Sequence, residues 1–149
     1  MSRCLVLLMF LCVALAWPAA ATAADAKKVD VEVWTIRATT RNTDISPELR
    51  SLAQALKTQF KYTGFKLEKK AREQVAIGKA YKTTLLDDYK VTVTPKERLE
   101  KKVKLQVTFS KKDKSVLNTT YTIGEGQFQL FGGWKIDNGD ALIVAVRAR

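Results

Sequence analysis

Histidine is absent from this sequence of 149 residues, and both of its cysteines, Cys4 and Cys12, fall near the N-terminus. If that first segment is removed on export, as argued below, the remaining chain has neither an imidazole nor a thiol. Disulfide stapling, zinc held by Cys or His, Ser-His-Asp and Cys-His catalysis and histidine-based pH switching are then excluded. Carboxylate chemistry, Ser-Lys or Tyr-assisted chemistry and an oxygen-ligand site for calcium or magnesium stay open. Proline is scarce: Pro18, Pro47 and Pro95 are the only three, and each stands where an element is expected to start or stop. No internal repeat, low-complexity tract or linker divides the chain.

What is present begins with the positive stretch Met1-Ser2-Arg3, the apolar run CLVLLMFLCVALAW, Pro18 and the small-residue stretch Ala21-Thr22-Ala23. This is the order of a secretory signal peptide with an A-x-A cleavage site. The run is short for a bilayer span, which takes about 20 apolar residues, and Cys12 lacks the small preceding residue that lipid attachment wants. The expectation is a signal peptide over residues 1–23, a single domain over 24–149, and an exported protein, periplasmic or extracellular, with no transmembrane segment after cleavage. About 125 residues suffice for one domain with a single core and are too few for two domains.

Loss of Arg3 turns 26 basic residues into 25, against 15 acidic ones, a formal net charge of +10 for the expected domain. Fifteen basic and seven acidic residues lie between Phe65 and Lys114, so most of the surplus sits in the middle of the chain.

Residues 29–40, VDVEVWTIRATT, are rich in β-branched side chains and alternate as a strand does. Ser46-Pro47-Glu48 marks a helix start, with Ser46 as a cap, Pro47 at the first helical position and Glu48 at the positive end of the dipole. Leu49, Leu52, Ala53, Leu56 and Phe60 then form one apolar stripe, so this segment is expected to be the helix, ending near Phe60 with Gly64 as the release point. Strands follow: FKLEKKA, QVAIG, AYKTTLL and YKVTVT, the last two joined by a two-residue hairpin at Asp87-Asp88. Pro95 closes that arm, and TPKERLE is expected to be a loop or a single helical turn. Further strands lie on either side of the Lys112-Asp113-Lys114 turn, then in QFQLF, WKI and ALIVAVRA, and Asn138-Gly139 is the dipeptide that a type I′ hairpin selects.

The fold class expected is α+β, with one helix near the N-terminus packed on a mostly antiparallel sheet of about six to eight strands, curled into a partial barrel or sandwich. ALIVAVRA is apolar on both parities and so belongs in a central position. The opening VEVWTIRAT, the segment ISPELRSLAQAL and the close FGGWKIDNGDALIVAVRA together resemble a group of small exported bacterial proteins, myxobacterial in type, of uncharacterised function. The resemblance spans nearly the whole expected domain and implies fold and export. It carries no catalytic residues.

Asp87-Asp88 fits a hairpin tip better than an acid and base pair. Asp137-x-x-Asp140 is only a fragment of a calcium loop, without the ligand ladder or the terminal Glu. Gly132-Gly133 lacks phosphate-loop spacing and is expected to be a bulge. Ser110 and Ser115 stand near lysines, which in a Lys-rich chain is weak support for a Ser-Lys nucleophile. No catalytic residue, cofactor or metal ligand is therefore assigned. What stands out is the strand around Val103, Leu105, Val107 and Phe109, whose alternation turns those side chains inward and Lys102, Lys104, Gln106 and Thr108 outward. With Lys90 from the neighbouring strand, Lys102 and Lys104 are the candidate anion-contacting residues. The function expected is an exported, non-enzymatic interaction or structural domain of the cell envelope, with an unidentified envelope protein as partner. The alternative is a weak binder of anionic envelope polymers or lipid headgroups through this face. Nucleic acid is not an expected partner, because Tyr89 and Phe109 share parity with the core and offer no stacking platform.

Overall fold

The computed structural model describes residues 27–149; the expected signal peptide and its cleavage point lie outside the described residues. Eight strands form two four-stranded antiparallel sheets that do not close into a barrel. The strands are β1 (Lys28–Thr39), β2 (Gly64–Ala76), β3 (Tyr81–Thr84), β4 (Tyr89–Arg98), β5 (Lys102–Lys111), β6 (Lys114–Gly124), β7 (Phe128–Lys135) and β8 (Ala141–Ala148). The first sheet has the order β2-β1-β8-β7 and the second β3-β4-β5-β6. Between β1 and β2 the chain makes a 3₁₀ segment, Pro47–Leu52, that runs into the short helix α1, Ala53–Gln59. Among the described residues no helix is long and apolar enough to cross a membrane.

The first sheet is covered on both faces, which explains why β8 reads as a continuous apolar run. Leu142, Val144, Val146 and Ala148 pack with Val91, Val93, Leu105, Val107 and Phe109 of the second sheet. Ala141, Ile143 and Ala145 face the other way and meet Leu49 and Leu56 of the helical segment, with Ile36, Ala38 and Phe65 around them. As expected, β8 is central, between β1 and β7. The helix covers only part of its face. Trp34 covers the rest, 4.7 Å from Phe128 between ring centroids, with Lys70 Nζ 4.3 Å above its ring and its indole N–H donating to Glu32 at 2.7 Å.

Bulges let single strands serve both cores. The sequence suggests two segments in FKLEKKA and QVAIG, but β2 runs unbroken through both, with Glu68 as an extra residue between Lys69 and Leu67 in the pairing with β1. That extra residue reverses the alternation, so Phe65 and Leu67 face the helix while Ala71 and Val75 face the second sheet. QFQLF and WKI likewise join into one strand, β7, across Gly132 and Gly133. Both glycines have positive φ, 127° and 86°, and a Cβ on Gly132 would drive into the carbonyl of Leu142 and come within 2.8 Å of Ile143 Cα. The bulge turns Trp134 into the space between the sheets, where it lies 5.7 Å from Tyr89 and 4.8 Å from Phe109.

Other expectations change in detail. The helical segment is divided, and Ser46 does not cap it; its hydroxyl accepts a hydrogen bond from the Leu67 amide at 2.9 Å, tying the helical segment to β2 instead. Leu49 and Leu56 are fully buried, while Leu52 and Phe60 are half-buried at the margin. Pro95 does not end its strand. β4 continues to Arg98 with Lys96 bulged out, which accommodates a residue that has no N–H to donate. Turn chemistry holds at three hairpins: Asp87 and Asp88, Lys112 and Asp113, and Asn138 and Gly139 all have positive φ at the two central positions.

Candidate functional site

β5 stands in the second sheet with the parity expected, Val103, Leu105, Val107 and Phe109 buried and Lys102 and Lys104 exposed. The outer face of that sheet is polar throughout. Strand register sets Thr92, Thr108 and Asn118 in one row and Thr94, Gln106 and Thr120 in the next, with Lys104 between Glu97 and Thr122 beyond them. Among the described residues, neither Lys102 nor Lys104 makes an ion pair. Lys90 shares the face but not the place. It lies opposite Ser110, six residues along β5 from Lys104, a separation of about 20 Å at roughly 3.4 Å per residue. Its ammonium is 3.9 Å from Asp113, so the β5–β6 turn supplies a local counter-charge. The structure thus brings Lys102 and Lys104 together and sets Lys90 at the far end of the sheet.

The end that holds Lys102 and Lys104 is the richer in cations. Lys96, Arg98 and Lys101 come from the β4–β5 hairpin, and Lys27 and Lys28 from the entry to β1, against Glu97, Glu100 and Glu125. An open cavity of about 480 Å³ lies between these segments, lined by Lys27, Lys28, Arg98, Leu99 and Glu100. Arg98 binds Glu125 at 2.6 Å and reaches the carbonyl of Lys28 at 3.4 Å, so the hairpin is tied to β1. Leu99, 42% exposed at the tip, is the apolar member of the cluster.

A second polar centre was not foreseen. Arg37 and Arg41 converge on Asp140, whose side chain is buried; the distances are 3.2 Å and 2.6 Å. Arg37 also binds Asp137 at 2.9 Å and Glu68 at 3.1 Å. Thr39 Oγ accepts from the backbone and side chain of Arg41, and the group borders a cavity of about 380 Å³ lined by Arg37, Arg41, Asn42, Ser46, Lys66 and Asp140 among others. Burial raises the Asp140 carboxyl, but Thr39, Arg37 and Arg41 outweigh it and hold the pKa below the usual carboxylate value. The two aspartates that suggested a fragment of a calcium loop are joined by a guanidinium, which takes the oxygens a cation would use. Three carboxylates that could act as acids or bases are each tied to Arg37, so the centre fastens the closing hairpin turn to β1 and β2. Among the described residues no group of His, Cys, Asp or Glu is arranged to hold a metal ion. The one sequence signal for this centre was the pair Asp137 and Asp140; their arginine partners lie a hundred residues away and become neighbours through the pairing of β1 with β8.

Tyr121 is the remaining unusual group. Its hydroxyl is buried beside Phe131 without a hydrogen-bond partner among the described residues, and burial pushes its pKa well above the ordinary value of 10.0. Comparison with protein-family models, with curated proteins and with solved structures gives no match for this chain.

Proposed function

We propose that the protein is an exported interaction domain of the cell envelope that engages anionic polymers or lipid headgroups through the cationic end of its second sheet. The observation that carries this reading is the pair Lys102 and Lys104, exposed side by side on a sheet face and, among the described residues, engaged in no ion pair, with Lys96 and Lys101 at the same end of the sheet. Lysines on an outer face also solvate a sheet and discourage edge pairing. Two of them side by side and in no ion pair, at the end of the sheet that also holds an exposed leucine and an open cavity, favour a contact surface over solvation alone. Such contacts are additive point-charge attractions, without the fixed fork geometry of arginine, so they discriminate charge density rather than shape. Tyr89 and Phe109, buried between the sheets, offer no platform for bases, which argues against single-stranded nucleic acid. The apolar run and Ala21-Thr22-Ala23 support export, as does the resemblance to small exported bacterial proteins.

Co-sedimentation with vesicles tests the proposal. The protein should bind phosphatidylglycerol vesicles and not phosphatidylcholine vesicles at low ionic strength, and binding should fade as the Debye length falls toward about 10 Å at 0.1 M salt and below it at higher salt. Equal binding to both lipids, or none to phosphatidylglycerol, would refute it.

A further inference from the structure

Two stacked four-stranded sheets leave four edges, and three of them carry devices that discourage pairing with another strand. β2 presents Lys66, Glu68, Lys69, Lys70, Arg72 and Glu73 and is bulged at Glu68. β3 is only four residues long, and β7 is bent by the bulge at Gly132 and Gly133. These are the usual protections of an edge. β6 differs. Its one bulge, at Val116, lies beside the β5–β6 turn, and from Leu117 to Gly124 the strand is regular, with no charge and no proline. Among the described residues, the backbone of this stretch up to Ile123 bonds only to β5. Alternate residues direct their N–H and C=O away from that neighbour. Leu117, on the inward-facing parity, is 36% exposed.

We propose that this edge pairs with the same edge of a second copy of the chain, antiparallel about a two-fold axis, to extend the second sheet across two protomers. The occupant follows from charge and symmetry. The nearest charged residues on either side of the regular stretch are Lys114, beyond Ser115 and Val116, and Glu125, next after Gly124. Antiparallel self-pairing brings each near its opposite in the second copy, whereas parallel pairing would set like beside like. An axis normal to the sheet requires residues of the same face to be opposite one another, and Thr120 is the midpoint of Leu117–Ile123. Centred there, Thr120 meets its own copy, Asn118 meets Thr122, Thr119 meets Tyr121, and Leu117 meets Ile123, which covers the exposed leucine. Threonine pairs and apolar pairs are the favourable cross-strand combinations. The inference is independent of anion binding, and it responds to salt in the opposite sense: two cationic domains repel, so screening strengthens the pairing.

Sedimentation equilibrium of the protein decides the matter, over micromolar to millimolar loading and at low and high salt. The expected result is a mass rising with concentration from one chain to two, more readily at high salt. Thr120→Lys, on the exposed face, places two ammonium groups against each other at the axis and should hold the protein at the mass of one chain, with the melting temperature of the wild type at a loading where both are monomeric. Thr120→Glu, which sets two carboxylates against each other at the same place, serves this purpose should Thr120→Lys fail to fold. A wild-type protein that stays monomeric at every loading and salt overturns the proposal. So does a dimer that survives the folded Thr120 variant, because its interface lies elsewhere.

Discussion

Leu56→Ala tests how the helical segment is held. The helix α1 spans seven residues, too short to persist alone in water, so its order depends on what it docks against. Leu56 is fully buried, packed with Leu49 of the same helical segment and with Ile36, Phe65 and Ile143 of the first sheet. Truncation removes three carbons, about 2.4 kcal/mol as transfer free energy at roughly 0.8 kcal/mol per carbon group. A cavity term adds to this where neighbours cannot collapse, and the first sheet, pinned from behind by the second, has little freedom to move. The expected loss is in the upper half of the ~2–5 kcal/mol range for buried Leu→Ala changes. Leu56→Met keeps the volume and should cost less than about 1.5 kcal/mol. Urea unfolding followed by tryptophan fluorescence measures both. A midpoint that Leu56→Ala leaves in place would mean that the helix rests on the sheet without supporting it, and the two-core description would be wrong.

Three further outcomes follow from the titratable and buried polar groups. Stability should be nearly flat from about pH 5 to 8, because no histidine titrates there, and should fall in acid. Asp140 is held below its ordinary 3.8 and Glu32 below 4.5, in each case against burial, by Thr39, Arg37 and Arg41 for the first and by Arg147 and Trp34 for the second. A depressed carboxyl contributes stability that is complete above its unfolded value and lost as pH falls through its folded one. Asp140→Asn should cost about 1.5–3 kcal/mol near neutral pH, the range for hydrogen bonds to charged groups, and should flatten the acid limb seen by thermal melts. An acid limb unchanged in Asp140→Asn would remove this centre from the account. Tyr121→Phe deletes a buried hydroxyl without a partner and should leave stability unchanged or raise it by up to about 1 kcal/mol; a clear loss in the same melts would mean that the hydroxyl is bonded.

Much of the fold was legible because its signals are local. Alternation in β5 placed Val103 to Phe109 inward, and double-sided apolarity in β8 required a central strand, since both depend only on the period of two. Hairpin turns at Asp87-Asp88 and Asn138-Gly139 were legible because positive φ selects few residues. What escaped was set by partners distant in sequence. The bulges at Glu68 and Lys96 arise from register against β1 and β5, so β2 looked like two strands and Pro95 looked like a stop. Ser46 had a capping position and a stronger claim from the Leu67 amide. The Arg37–Arg41–Asp140 centre draws on both ends of the chain, and no spacing rule joins residues so far apart. Lys102 and Lys104 could be placed on one face, whereas their distance from Lys90 depended on which residues of β4 and β5 are opposite.

The most direct measurement is the binding of Lys102→Glu/Lys104→Glu to phosphatidylglycerol vesicles at low salt, beside wild type and with melting curves for both. Both substitutions lie on an exposed face, where changes usually shift stability by no more than about 0.5 kcal/mol, and a glutamate at 104 stands opposite Glu97, which adds up to about 1 kcal/mol, so the variant should stay folded with a slightly lower melting temperature. The account predicts a folded protein with weakened binding. A folded variant that binds as well as wild type would contradict it and leave the two lysines as a solvated face.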